Sequence, residues 1–145
     1  MNWAPNRRGA EFRDFVRRVL ALRREIGYLG EGRFPGPDDI LWFGSAGEPL
    51  SQEDWRDAGD RVLCVGWRGW RSWRLAVAGV ILVYMNAAEE PRSIELPAFE
   101  TGSRWRERLN TAEPAPLEVN DGPRILERRF ELPAHTTIVL EGELG

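Results

Sequence analysis

Four kinds of residue in this sequence could do chemistry. Adjacent carboxylates occur at Asp38 with Asp39, Glu53 with Asp54, and Glu89 with Glu90. Acid–base cleavage of a glycosidic bond needs two carboxyl groups that flank that bond at a defined separation. Neighbours on an extended chain point to opposite sides, so none of these pairs makes a good acid/base couple. All three read as solvated turns. His135, the single histidine, lies in "LPAHTTI" with no serine, cysteine or metal partner in view. It reads as an exposed or structural histidine. Cys64, the single cysteine, lies inside "VLCVGW" and reads as a small core residue. No Gly-rich phosphate loop and no metal-ligand spacing is present. The expectation is no catalytic residue, no metal and no cofactor.

The fourth kind is aromatic. In "GWRGWRSWRLA", Trp67, Trp70 and Trp73 recur every third residue, each followed by an arginine. Flat rings can stack on sugar rings or bases, and arginine donates forked hydrogen bonds and stacks on indoles. Trp67, Trp70, Trp73, Arg71 and Arg74 are therefore the candidate carbohydrate or partner contacts. A period of three matches neither strand alternation nor a long helix, and Gly69 and Ser72 suggest a turn. Three readings stay open. The rings pack on neighbouring side chains of a hairpin; or they form an interface with another domain or a second copy, giving a homo-oligomer; or they form a ligand platform. Architecture is the leading reading and a sugar surface the sharper alternative.

The rest of the composition narrows the class. The chain has 145 residues, 42% hydrophobic and 30% charged, with a net charge of −3. That fits one globular domain with one core. Every basic side chain is arginine. Residues 1–74 carry 13 Arg against 11 acids, and residues 75–145 carry 7 against 12. The overall acidity argues against a general nucleic-acid binder. A lone cysteine excludes an internal disulfide. The longest apolar run, "LAVAGVILVYMNAA", is broken by Asn86 and is shorter than the ~20 residues of a membrane helix. With no signal pattern at the N-terminus, the expectation is a cytoplasmic domain with no membrane or nucleic-acid partner.

The elements that must position these residues follow from periodicity. In "AEFRDFVRRVLALRREIG", Phe12, Phe15, Val16, Val19, Leu22 and Ile26 form one apolar stripe, with Arg23 and Arg24 at the end and Gly27 as a stop. Ser51 and Asp54 have the spacing of a capping box, which predicts one helical turn. About seven strands follow from "DILWFG", "RVLCVGW", "GVILVYMN", "RSIELP", "SRWRERLN", "RILERRFELP" and "TTIVLEG". Turn-rich segments separate them. The fold class expected is mainly β: an antiparallel β-sandwich with one N-terminal amphipathic α-helix packed on it. Its core is expected to include Trp42, Trp55, Leu63, Val65, Ile81, Val83, Leu96, Trp105, Ile138 and Leu140.

Several pieces, in this order, carry a family resemblance. "FRDFVRRVLALRREIGYL", "DILWF", "GEPLSQEDW", "LVYMNAAEEPRSIELP" and "LPAHTTIVLEG" together resemble the C-terminal end of bacterial glycogen-debranching, isoamylase-type enzymes of the α-amylase superfamily of glycoside hydrolases. The matching positions are Leu22 to Arg24, Trp42, Gly47, Glu53 to Trp55, and Asn86 with Ala87. "MNW" resembles the family's Leu-Asp-Trp before its last barrel helix, with Asn2 where Asp is usual. The Trp-rich connection departs from the family, where it is polar and acidic. The resemblance implies that residues 1–27 are like the last helix of a (β/α)8 barrel and residues 28–145 a C-terminal β-sandwich, together one folding unit. It implies a non-catalytic accessory domain of glycogen or starch debranching, with α-glucan or a catalytic barrel as partner, because the family's catalytic carboxylates lie upstream. The alternative is a stand-alone interaction or regulatory module, a truncated gene product that docks through its helix or its Trp-rich hairpin.

Overall fold

The computed structural model describes residues 7–26, 36–37, 39–57, 59–71, 78–98, 104–113 and 125–143. The predicted amphipathic helix forms as α1, Arg7–Glu25, and Ile26 extends its bonding by donating its N–H to the Leu22 carbonyl. The basic last turn holds Arg23 and Arg24 as the macrodipole favours, but no acid lies in the first turn.

The strands among the described residues are β1 (Ile40–Phe43), β2 (Val62–Arg71), β3 (Ala78–Asn86), β4 (Arg92–Glu95), β5 (Arg104–Asn110), β6 (Ile125–Leu126), β7 (Arg129–Leu132) and β8 (Thr137–Glu143). They form a six-stranded sheet in the order β1-β2-β3-β8-β5-β6 and a two-stranded sheet of β4 and β7. Every pairing is antiparallel. The mainly β fold with an N-terminal helix is therefore as expected. One difference concerns "RILERRFELP". It is two strands, not one: β6 pairs with β5 in the large sheet, and β7 pairs with β4 in the small one. The chain changes sheets at Glu127 and Arg128, and the Arg128 carbonyl accepts the Leu96 N–H at the corner.

The two sheets enclose one apolar interior. Val62 and Cys64 of β2, Val80, Leu82 and Tyr84 of β3, Ile138 and Leu140 of β8 and Trp105 of β5 meet Ile94, Leu96 and Leu132. Alternation then sends the odd residues of β2 and β3 to the outer face. There Ile81 and Val139 are buried beneath α1, with Leu22, Ile26, Trp67, Val83 and Leu109 packed against them. So the apolar stripe of α1 finds its partner on the outside of the large sheet. An ion cluster reinforces this seat: Arg108 binds both Glu25 of α1 and Glu141 of β8. Arg108 is the extra residue where the β5–β8 register shifts between Glu107 and Leu109. Such a bulge can re-aim a side chain out of strict alternation.

The expected core needs correction at two positions. Trp42 and Trp55 are 38% and 53% exposed. Trp42 alternates with Phe43, which takes the inner position on this edge strand, and Trp55 lies in a short 3-10 turn, Asp54–Arg56, outside both sheets. Leu63 and Val83 are only half-buried, and Val83 packs with the outer cluster.

Two local devices set the strand connections. After β1 the chain turns through Gly47 at φ +79°, where a Cβ would lie 2.6 Å from the Glu95 carbonyl oxygen. Only glycine meets both demands. At the end of β3, the buried Asn86 side chain donates to the carbonyls of Glu90, Leu132 and Pro133 at 3.0–3.2 Å and accepts the Ala88 N–H at 2.9 Å. It ties the exit of β3 to the end of β7.

Candidate functional site

The groups that could carry chemistry are dispersed. Asp39 accepts the Gly36 N–H at 2.8 Å, and its neighbour Asp38 lies outside the described residues. Glu89 meets His135 Nε2 at 3.1 Å on the surface. His135 occupies the left-handed region at φ 51° in the turn before β8. Cys64 is fully buried opposite Tyr84 in the β2–β3 register. Burial pushes the Cys64 thiol well above its ordinary range. It is thus a protonated core thiol, not a nucleophile. Among the described residues no cluster of three His, Cys, Asp or Glu side chains could hold a metal ion. No helix among them is long and apolar enough to cross a membrane.

The tryptophan–arginine stretch is only partly in view. Trp67 is half-buried and packs into the cluster under α1. Trp70 and Arg71 lie on β2, opposite Gly79 and Ala78. Trp73 and Arg74 lie outside the described residues. The three-residue spacing has a backbone explanation. The β2–β3 register shifts between Arg68 and Trp70, so Gly69 is an extra residue. Trp67 faces Ile81 and Trp70 faces Gly79, two residues apart on β3. One inserted residue makes a step of three compatible with strand alternation.

A better-formed concavity lies elsewhere, where the β1 turn meets the start of β2. It is a cavity of about 420 Å³ whose lining includes Ser45, Glu48, Asp54, Trp55, Asp57 and Asp60, with Arg61 at its side. Its carboxylates are oriented by local bonds. Asp54 and Ser51 make the reciprocal capping box: Asp54 Oδ2 accepts the Ser51 N–H at 2.7 Å, and Ser51 Oγ accepts the Asp54 N–H at 3.3 Å. Hydrogen bonding from Ser51, its side chain first and its backbone N–H second, holds the exposed Asp54 carboxyl below its ordinary pKa. Asp57 Oδ1 accepts the Gly59 N–H at 2.7 Å. Asp60 accepts the Val62 N–H at 3.0 Å and the Ser45 hydroxyl at 3.3 Å. Each aspartate keeps acceptor capacity beyond these bonds, since a carboxylate offers about four lone-pair sites.

The aromatic wall of this groove is Trp55, with Trp42 edge-on beside it at a centroid distance of 5.4 Å and an interplanar angle of 73°. This arrangement was not among the sites expected from sequence, which placed both rings in the core. A signal was present in "SQEDWRDAGD", where Trp55 is flanked by Gln52, Glu53 and Asp54 on one side and Arg56 and Asp57 on the other.

No family model matches the chain. Over 101 residues it is 23% identical to a Haemophilus influenzae protein described as "Glycogen operon protein GlgX homolog". The matched stretch is 70% of this chain but 13% of that protein's length.

Proposed function

We propose that this chain is a non-catalytic accessory β-sandwich domain of a glycogen- or starch-debranching type protein, supporting a catalytic α-1,6-glucosidase barrel. The observation that carries this reading is the seat of α1. Its last turn is fixed to the sandwich by Leu22, Ile26 and the Glu25–Arg108–Glu141 cluster. Its remaining length still presents Phe12 at 67% and Leu20 at 46% exposure. A helix anchored at one end that still exposes apolar side chains along the rest of its length suits a joint between two bodies. The order of motifs that resembles debranching enzymes, and the similarity to a protein named for a glycogen operon, both support the same direction.

The test is reconstitution. A debranching barrel stripped of its own C-terminal region is co-expressed with this chain. Co-purification and a gain in amylopectin debranching are expected. Absence of both overturns the reading, and release of reducing ends from pullulan by the chain alone overturns its non-catalytic part.

The exposure of Phe12 and Leu20 also favours a second reading, an interaction module that pairs through α1 without a barrel. Under that reading, light scattering shows a concentration-dependent dimer that Phe12→Glu abolishes.

A further inference from the structure

We infer that the groove between the β1 turn and the 3-10 turn binds the end or bend of an α-glucan, with Trp55 as the stacking platform and Asp57, Asp60 and Arg61 as hydroxyl partners. This rests on the glycogen reading above and assigns it a site different from the Trp67–Arg74 stretch.

The surroundings select the ligand class. A cavity of about 420 Å³ falls within the ~300–1,000 Å³ of clefts that hold small ligands. Indole rings left this exposed on two adjoining elements are a feature that calls for a partner. Their apolar faces suit the C–H face of a pyranose ring. Around them the polar groups are held in place rather than floppy: Asp57 by the Gly59 amide, Asp60 by the Val62 amide and the Ser45 hydroxyl. Prepositioned acceptors lower the ordering cost of binding. Four carboxylates on the lining, Glu48, Asp54, Asp57 and Asp60, repel phosphate and nucleic acid. A cationic ligand would meet Arg61 on the same wall. Sugar hydroxyls both donate and accept, so they match a wall that carries acceptors and a guanidinium donor together.

Calorimetric titration of the full chain with maltoheptaose tests this. Binding is expected, and Trp55→Ala should weaken it by about tenfold or more. Asp57→Asn should weaken it less, and Trp70→Ala should leave it unchanged. Trp55 is exposed outside the sheets, so the fold should survive; a circular dichroism melt checks this, and Trp55→Gln serves if it does not. Loss of binding in Trp70→Ala but not in Trp55→Ala overturns the site while leaving the glycogen reading intact. So does an absence of maltoheptaose binding alongside successful reconstitution with a barrel. Equal binding of cellohexaose, or binding of an arginine-rich peptide in place of the glucan, overturns the ligand class.

Discussion

The indole of Trp105 lies directly over Gly142, its cross-strand partner between β5 and β8. A Cβ at position 142 would lie 2.7, 2.8 and 3.0 Å from three ring carbons. The ring is buried in the inner cluster and is hemmed in by the opposite sheet. It therefore cannot withdraw, and the absent side chain of Gly142 is the space it fills. Gly142→Ala is expected to destabilise the fold by about 1–3 kcal/mol through overpacking. Trp105→Ala should lose about 3–5 kcal/mol through the cavity it leaves. Urea unfolding of the two single variants and the double variant checks the pairing: in the double variant the alanine at 142 should add almost nothing to the loss.

Asn86 makes a second prediction. Its amide serves three carbonyls and one N–H at the junction of β3, the β4 approach and the end of β7. Asn86→Ala leaves those buried groups without partners, a loss of about 3 kcal/mol. Asn86→Asp should be at least as damaging, because a carboxylate would face three carbonyl oxygens. Thermal melts of both variants decide the matter; a variant as stable as the parent would show that water replaces the amide.

Much of this architecture was legible from the chain, for physical reasons that differ by element. α1 was clear because Leu22 and Ile26 fall on one stripe and nothing breaks the period. The capping box was clear because Ser51 and Asp54 satisfy each other locally. Asn86 stood out as part of a motif, although its role as a tie between distant loops depends on residues 46 and 47 positions away. What was hidden depends on which sheet a strand joins. "RILERRFELP" alternates well enough to be one strand, and only pairing with β5 and then β4 divides it. The phase of β2 was hidden likewise. Val62, Cys64, Leu63 and Val65 are all apolar because both faces of this sheet are covered, and a continuous apolar run has no readable phase. The groove was missed because large apolar rings are usually buried; its aromatic wall is Trp55, with Trp42 edge-on behind it.

Arg108 predicts how the helix is held. Burial opposes its charge, but Glu141 and Glu25 outweigh that and raise its pKa above the ordinary value. Arg108→Met should cost about 2–3 kcal/mol, the lower end for a pair that is only partly buried. The loss should be local. Hydrogen exchange is expected to accelerate along α1 more than along β3 or β8, since two carboxylates then face each other across the seat. Adding Glu141→Gln to that variant should recover part of the loss. Uniform acceleration across the sheet would assign Arg108 to the stability of the sandwich instead.

Glu95 predicts a pH response in the small sheet. It faces Arg129 in the β4–β7 register, and both Nε and Nη2 of Arg129 donate to its Oε2 at 3.1 and 2.8 Å. Arg128 reaches the other oxygen at 3.1 Å. The Arg129 hydrogen bonds, with smaller help from the two positive charges, hold the Glu95 carboxyl below its ordinary value of 4.5. A carboxyl with a depressed folded pKa stabilises the native state above its unfolded value and loses that contribution as pH falls through the folded one. The contribution is thus complete above about pH 4.5 and fades below it. Carbon-detected NMR titration should place the Glu95 midpoint under 4.5. Arg129→Gln should move it up towards that value, and Arg128→Gln should move it less, because Arg129 supplies two bonds and Arg128 one. An unchanged midpoint in Arg129→Gln would mean that solvent already screens this pair at the surface.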